Sequence, residues 1–417
     1  MLKLNQIPRK EPKIRIGIIL PRDILKTLQL SFSDPECYEI ETSSKIFPSC
    51  TNKKKINIEA NDNKIIIPQL SLNSNSIKFI PSIPNDNPFV KINKVPAGRG
   101  FHWEKKIDLS YWGTIELSCI NNNIMVINEL PLENYLKCVA TSEMSAICPQ
   151  EFLKAQFIIA RSWLLANTER KHVHLSFDIC NDDCCQRYQG ILNTTKKSNE
   201  VSELTFGKVI TYNNKIGDAR YSKSCGGITE NFENVWVGNK IPYLTSIEDK
   251  NSKGIPYCST DILSESSLKT YIGNIDDDGE YYRWNYKINN KNLIHSLKNN
   301  FSLDVKKILE LNPIKVGASG RIIKLEIVFL NIDDRTMNIE IISEYQIRKI
   351  LSPSFLYSSA FTVNKIKDQF ILEGKGWGHG VGLCQIGALG MALSNNKVMS
   401  ILSHYYPGTE IETIYNK

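Results

Sequence analysis

The 417-residue chain lacks several features that would assign it quickly. It has no run of about 18 apolar residues, so no transmembrane helix is expected. A convincing secretory signal is also missing: basic residues precede Ile16, but the apolar run Ile16–Leu20 ends at Pro21, short of the usual stretch of about 7–15 residues. That run reads better as a strand opening the fold. Neither a Gly-x-Ser-x-Gly nucleophile turn nor a phosphate-binding loop is present, and no internal repeat is visible. Lys+Arg 51 against Asp+Glu 44 leaves +7, spread along the chain without the patch or stripe of a nucleic-acid binder. A weakly anionic polymer stays open as a partner. Eleven cysteines form no framework spacing, which excludes a small disulfide scaffold. What remains is ordinary globular composition, 41% hydrophobic and 23% charged, at a length that favours two or three lobes.

The first hundred residues carry short β-like runs at 14–20, 55–58 and 64–67, predicting a β-rich lobe over 1–105. Residues 106–417 then form the main body, with 257–360 as a polar sub-lobe. Proline opens two helices. One runs from about Pro131 to Met144 and the other from Pro149 to about Thr168. In the second, Phe152, Ala155, Ile159, Trp163 and Ala166 follow helical spacing. Leu153, Phe157, Ala160 and Leu164 cover a neighbouring face, so burial is expected. Lys154 and Arg161 share one stripe of it, either paired with structural acids or turned into a polar cleft. Asn213-Asn214 and Ser224-Cys-Gly-Gly227 read as turns, and Val398–Tyr405 as a short helix stopped by Pro407-Gly408. The expected fold is α+β, with β-rich lobes around two central buried helices and a substrate groove.

Glycine is concentrated near the C-terminus. Seven of the 23 glycines lie between Gly374 and Gly390. Each interior glycine costs roughly 0.5–1 kcal/mol relative to alanine, so a turn, a bulge or close approach of a ligand must require the bare backbone there. Trp377, His379 and Gln385 offer a stacking ring, a titratable group and an amide, a set suited to the wall of a sugar-binding cleft. A glycine-kinked structural strand is the alternative.

Leu132, Leu136, Val139 and Glu143 fall on one helical face. The apolar members predict a buried stripe that ends in a carboxyl group, and burial raises a carboxyl pKa. A glutamic acid kept protonated is what a general acid for glycosidic cleavage requires; a helix-end ion pair with Lys154 or Arg161 is the competing reading. His172, His174, Cys180, Cys184 and Cys185 place five possible metal ligands within 14 residues. Thiolate and imidazole suit tetrahedral Zn²⁺, although the spacing is not that of a common finger, and a disulfide or inert thiols are equally compatible.

Four blocks in order resemble the stage II sporulation protein D / amidase enhancer (SpoIID/LytB) family. They are Leu130-Pro-Leu-Glu-Asn-Tyr135 leading to Glu143-Met144, Leu153-Lys-Ala-Gln156 through Ala160-Arg161, Phe177-Asp-Ile-Cys180 with Cys185-Gln-Arg-Tyr-Gln-Gly190, and Ser224-Cys-Gly-Gly227 with Trp236 and the Gly374–Thr409 segment. The resemblance implies a peptidoglycan lytic transglycosylase that cleaves peptide-stripped glycan strands, with Glu143 catalytic. A non-catalytic amidase enhancer is the alternative, and a zinc-stabilised sugar-binding module a third. It further implies a cell-wall amidase as partner, an extracytoplasmic location and structural zinc on Cys180, Cys184, Cys185 and His174. Cys184 stands where relatives are expected to carry histidine. The implied groove lies between Glu143, the Gln186–Tyr188 strand, the Ser224–Gly227 turn with Gly226, and the Gly376–Gln385 loop. Lys154, Arg161, Gln186, Tyr188, Ser224, Gly226, Gly227, Trp377, His379 and Gln385 are the expected substrate-binding residues.

Overall fold

The computed structural model describes residues 2–3, 6–47, 53–82, 88–101, 104–166, 168–272 and 279–416. The fold is mixed α+β. A seven-stranded sheet runs from Ile179–Cys180 through Lys13–Ile19, Asn123–Pro131, Thr114–Ile120, Ser76–Pro81 and Tyr38–Thr42 to Ile46–Phe47. A six-stranded sheet is built around Phe89–Ala97, Thr27–Phe32 and Lys55–Asn61. Strand residues alternate as expected for half-buried strands: Leu28, Leu30 and Phe32 face inward between more exposed neighbours.

The N-terminal strand sets the position of much that follows. Lys13–Ile19 pairs antiparallel with Asn123–Pro131 and, on its other side, parallel with Ile179–Cys180. One apolar core therefore extends from Ile14 to Tyr415, and the boundary expected at residue 105 is no break in it. A second core does exist, built from Trp284, Leu293, Leu297, Ile308, Leu325, Phe329, Ile347 and Leu372 among others. Its elements are the helices Asn290–Phe301 and Glu344–Leu351 and the hairpin strands Val305–Val316, Ile322–Asn331 and Thr336–Ile342.

Helix α1 (Leu132–Glu143) leaves the strand Asn123–Pro131 directly, with Pro131 as its N-cap. Helix α2 (Gln150–Ala166) packs on α1. Leu132, Leu136 and Val139 of α1 are fully buried, as are Phe152, Ala155, Ile159 and Leu164 of α2. Apolar residues occur on several faces of α2, and neighbours cover it on several sides. Val398–Tyr405 is a helix, and Asn213 and Asn214 take the positive φ of a tight hairpin turn. A helix that sequence reasoning missed, Gln385–Leu393, begins where the glycine segment ends. Among the described residues no helix is long and apolar enough to cross a membrane.

Candidate active-site cleft

Glu143 is the last residue of α1. The apolar stripe beneath it fixes the helix, and the side chain emerges on the wall of a cleft of about 630 Å³. Its Oε1 accepts hydrogen bonds from the Arg187 backbone N–H (3.0 Å) and the Tyr221 hydroxyl (3.3 Å). Oε2 takes no hydrogen bond among the described residues. Burial raises the carboxyl pKa above its ordinary value, with Lys223 and Arg187 opposing and Asp183 adding to the rise. Lys223 is close because its Nζ donates to the Glu143 carbonyl (2.8 Å). The expected ion pair with Lys154 or Arg161 does not form: Lys154 pairs with Glu151 (2.7 Å). Arg161, fully buried, grips Glu133 through Nε (2.8 Å) and a terminal nitrogen (2.6 Å). Both residues thus serve structural ion pairs, and neither lines the cleft.

Gln186 and Tyr188 are likewise enclosed. Gln186 accepts from the Tyr135 hydroxyl (2.9 Å) and donates to the Tyr221 hydroxyl (3.1 Å) and the Ala160 carbonyl (3.2 Å). Its amide therefore orients the phenol that touches Glu143. The Tyr188 hydroxyl donates to Asn128 (2.7 Å), and its ring packs on Tyr111 and Tyr135. These two residues stand behind the site rather than on its surface.

The opposite wall comes from the glycine segment. Strand Tyr221–Ser222 pairs parallel with Leu383–Cys384, and Ser224 and Trp377 exchange backbone hydrogen bonds (3.0 and 2.8 Å). Ser224 itself is fully buried, whereas Trp377, His379 and Gln385 line the cleft. Gly376, Gly378, Gly380 and Gly382 all have φ between 71° and 92°, a region in which a Cβ is disfavoured. A Cβ on Gly380 would meet the Arg321 guanidinium, and one on Gly382 the Arg220 carbonyl oxygen. The bare backbone is required by conformation and by close packing together. Gly226 and Gly227, also at positive φ, turn the facing loop.

Aromatic rings continue the wall: Trp377 stacks on Tyr357 (4.5 Å between centroids), and His379 meets Trp236 edge-on (4.8 Å). Burial and the charge of Arg220 hold the His379 pKa well below its ordinary value, so its ring is neutral. Its Nδ1 accepts the Val381 N–H (3.0 Å). Sequence reasoning missed the cationic lining, which comprises Arg22, Arg99, Lys171, Arg187, Arg220, Lys223 and Arg348. These residues come from widely separated segments and carry no shared motif. Most have carboxylate partners: Arg99 with Asp23 and Asp182, Arg187 with Asp183, Arg220 with Asp218 and Glu169.

At one end of the cleft, ligand atoms of His172, Cys180, Cys184 and Cys185 lie within 4.8 Å of one another. Cys180 is brought there by its strand pairing with Gly17, and Cys184 and Cys185 line the cleft. His172, not His174, completes the group; His174 is exposed on the same short turn. Among the described residues His172 Nε2 is buried without a hydrogen-bond partner, a costly state that a bound cation would relieve. Three sulfurs and one imidazole nitrogen match the donor set of a closed tetrahedral zinc site.

The family model "Stage II sporulation protein" matches residues 120–212, the stretch holding Glu143 and the cysteine group. A "Domain of unknown function (DUF8618)" matches residues 230–382, which include all of the second core. An uncharacterized protein of Brachyspira hyodysenteriae is 29% identical over 73% of this chain and 72% of its own length. The amidase enhancer of Bacillus subtilis is 28% identical over 66% of this chain, which spans 40% of that protein. Stage II sporulation protein D of the same organism is 27% identical over 68% of this chain and 75% of its own length. Residues 120–212 thus match the SpoIID family, and the motif blocks in order together with these relatives support the SpoIID/LytB family for the chain.

Proposed function

We propose that this protein is a lytic transglycosylase that cleaves peptide-stripped peptidoglycan between N-acetylmuramic acid and N-acetylglucosamine, with Glu143 as its single acid/base. The observation carrying this reading is a carboxyl group whose pKa burial raises above its ordinary value, set in a roomy cleft with one oxygen held and the other taking no hydrogen bond among the described residues. In the first half-step Oε2–H gives its proton to the glycosidic oxygen as the C1–O bond breaks. In the second, the carboxylate takes the proton of the muramic 6-hydroxyl as that oxygen bonds to C1. The product is a 1,6-anhydro ring, the proton is returned to Glu143, and no water is consumed. Hydrolysis would need a second carboxylate. Glu133 and Glu151 are engaged by Arg161 and Lys154, and Asp183 by Arg187.

Charge and shape support the proposed substrate class. Removing the stem peptide leaves a free lactyl carboxylate on each muramic residue, and a cleft lined by several guanidinium and ammonium groups favours such a polyanion. Trp236, Tyr357 and Trp377 offer apolar faces for sugar rings. The family's link to amidases supports an amidase as the upstream partner and a cell-wall, extracytoplasmic setting. Zinc held by His172, Cys180, Cys184 and Cys185 would act structurally, tying the cysteine loop that carries Arg187 to the first strand. Incubation with peptide-free glycan strands and mass spectrometry for anhydro ends, with Glu143→Gln alongside, tests the proposal.

The alternative, a non-catalytic amidase enhancer, uses the same groove only to bind. Glycan binding without product from the intact protein would favour it.

A further inference from the structure

A second group of metal-ligand side chains lies outside the cleft, deep in the main core. The thiols of Cys225, Cys258 and Cys384 and the carboxylate of Asp249 are all buried, and their ligand atoms lie within 4.8 Å of one another. We infer that these four residues bind a tetrahedral, thiophilic divalent cation, Zn²⁺ foremost, as a structural site separate from the histidine–cysteine group at the cleft.

Four observations carry the inference. First, Cys225 Sγ and Cys258 Sγ are 3.7 Å apart. Tetrahedral Zn–S bonds of about 2.3 Å place sulfurs about 3.8 Å apart, whereas a disulfide requires about 2.05 Å. Second, backbone N–H groups point at the sulfurs: Cys225 N–H and Gly387 N–H at Cys384 Sγ (3.2 Å each), and Gly227 N–H at Cys225 Sγ (3.3 Å). A neutral thiol is a weak acceptor, and several donors on two sulfurs suit metal-bound thiolates. Third, Asp249 is oriented from behind. Its Oδ1 accepts the Tyr405 hydroxyl (2.7 Å) and faces His404 Nε2 (3.3 Å), leaving Oδ2 toward Cys225 Sγ at 3.1 Å. Such outer partners fix the direction of a ligating carboxylate. Fourth, three thiolates and a carboxylate around a dication carry net negative charge. The fully buried Arg321 beside it donates to the Cys225 and Ser224 carbonyls and makes no direct ion pair among the described residues. An anionic cluster supplies countercharge there.

The site would act as a clamp. Cys225 belongs to the Ser-Cys-Gly-Gly turn, Cys258 to the loop beyond Asp249, and Cys384 caps the helix Gln385–Leu393. Ser222, paired with Cys384, follows Tyr221, the phenol on Glu143. One ion would thus lock both walls of the cleft without touching substrate. No spacing betrays it, since Cys258 and Cys384 lie 33 and 159 positions from Cys225.

The test is metal content of the full chain purified without chelator, by mass spectrometry, in the background Cys180→Ser/Cys184→Ser/Cys185→Ser. About one zinc per chain should remain and should vanish on adding Cys258→Ser. Cobalt in place of zinc should give near-ultraviolet thiolate charge transfer in the triple variant. A folded triple variant with neither metal nor cobalt absorption would overturn the inference, as would a Cys225–Cys258 disulfide in non-reducing peptide maps. Should the variants not fold, an anomalous difference map of the unaltered protein at the zinc edge decides: a peak among the four ligands supports the site, and its absence removes it.

Discussion

Glu143 gathers the residue-scale physics. Its raised pKa means that folding favours the protonated form. The associated stability is therefore present below the ordinary carboxyl range and is lost as pH rises through the raised value. Glu143→Gln should then melt no lower than the unaltered chain at about pH 8, with any advantage fading toward about pH 4 in calorimetry. Activity should fall on the alkaline side as the acid ionises. Lys223 is the largest influence favouring the carboxylate. Lys223→Met should accordingly move the alkaline limb of the pH–rate profile upward; an unmoved or lowered limb would contradict the assignment. The buried stripe that ends at Glu143 was legible in the sequence, because Leu132, Leu136 and Val139 stand at helical spacing. Its partners were not, since Tyr221 and Lys223 reach it from 78 and 80 positions away.

At the scale of elements, the helix pair and the glycine loop supply the rigidity. The buried Arg161–Glu133 pair ties α2 to the start of α1, with Tyr415 and Gly207 also donating to Glu133. Glu133→Ala leaves a guanidinium stranded in the core and should cost about 3–5 kcal/mol in denaturant unfolding. Gly382→Ala forces a side chain into a left-handed conformation against the Arg220 carbonyl. It should lower stability by about 1–2 kcal/mol from backbone strain alone, and glycan affinity with it. Proline-opened helices and the glycine-rich wall were readable because local chemistry dictates both. The burial of Gln186 and Tyr188 was not, because a strand-like polar–aromatic alternation looks the same behind a cleft as within it. The choice of His172 over His174 rests on a short turn, Val173–Leu175, whose geometry no spacing rule predicts.

For the whole molecule, the cleft is a meeting place of segments from Arg22 to Gln385. The second core contributes Glu344, Tyr345, Arg348, Phe355 and Tyr357 to its rim, although the sequence between 258 and 360 advertised no chemistry. Positive lining drawn from so many segments predicts that binding of peptide-free glycan weakens as salt rises from about 0.05 to about 0.5 M, a range over which the screening length shortens severalfold. Strands that keep their peptides should bind less tightly and with a shallower salt slope in the same titration. Chain length and composition led only to an expectation of two or three lobes; the pairing of the strand Lys13–Ile19 with residues 179–180 was not legible, because it is a long-range event. The most direct test remains product analysis on denuded glycan strands. Intact protein should yield 1,6-anhydromuramic ends, and Glu143→Gln should reduce the rate by about 10²–10⁴-fold with glycan binding retained. Hydrolytic, non-anhydro ends, or equal product from the Glu143→Gln variant, would contradict the account.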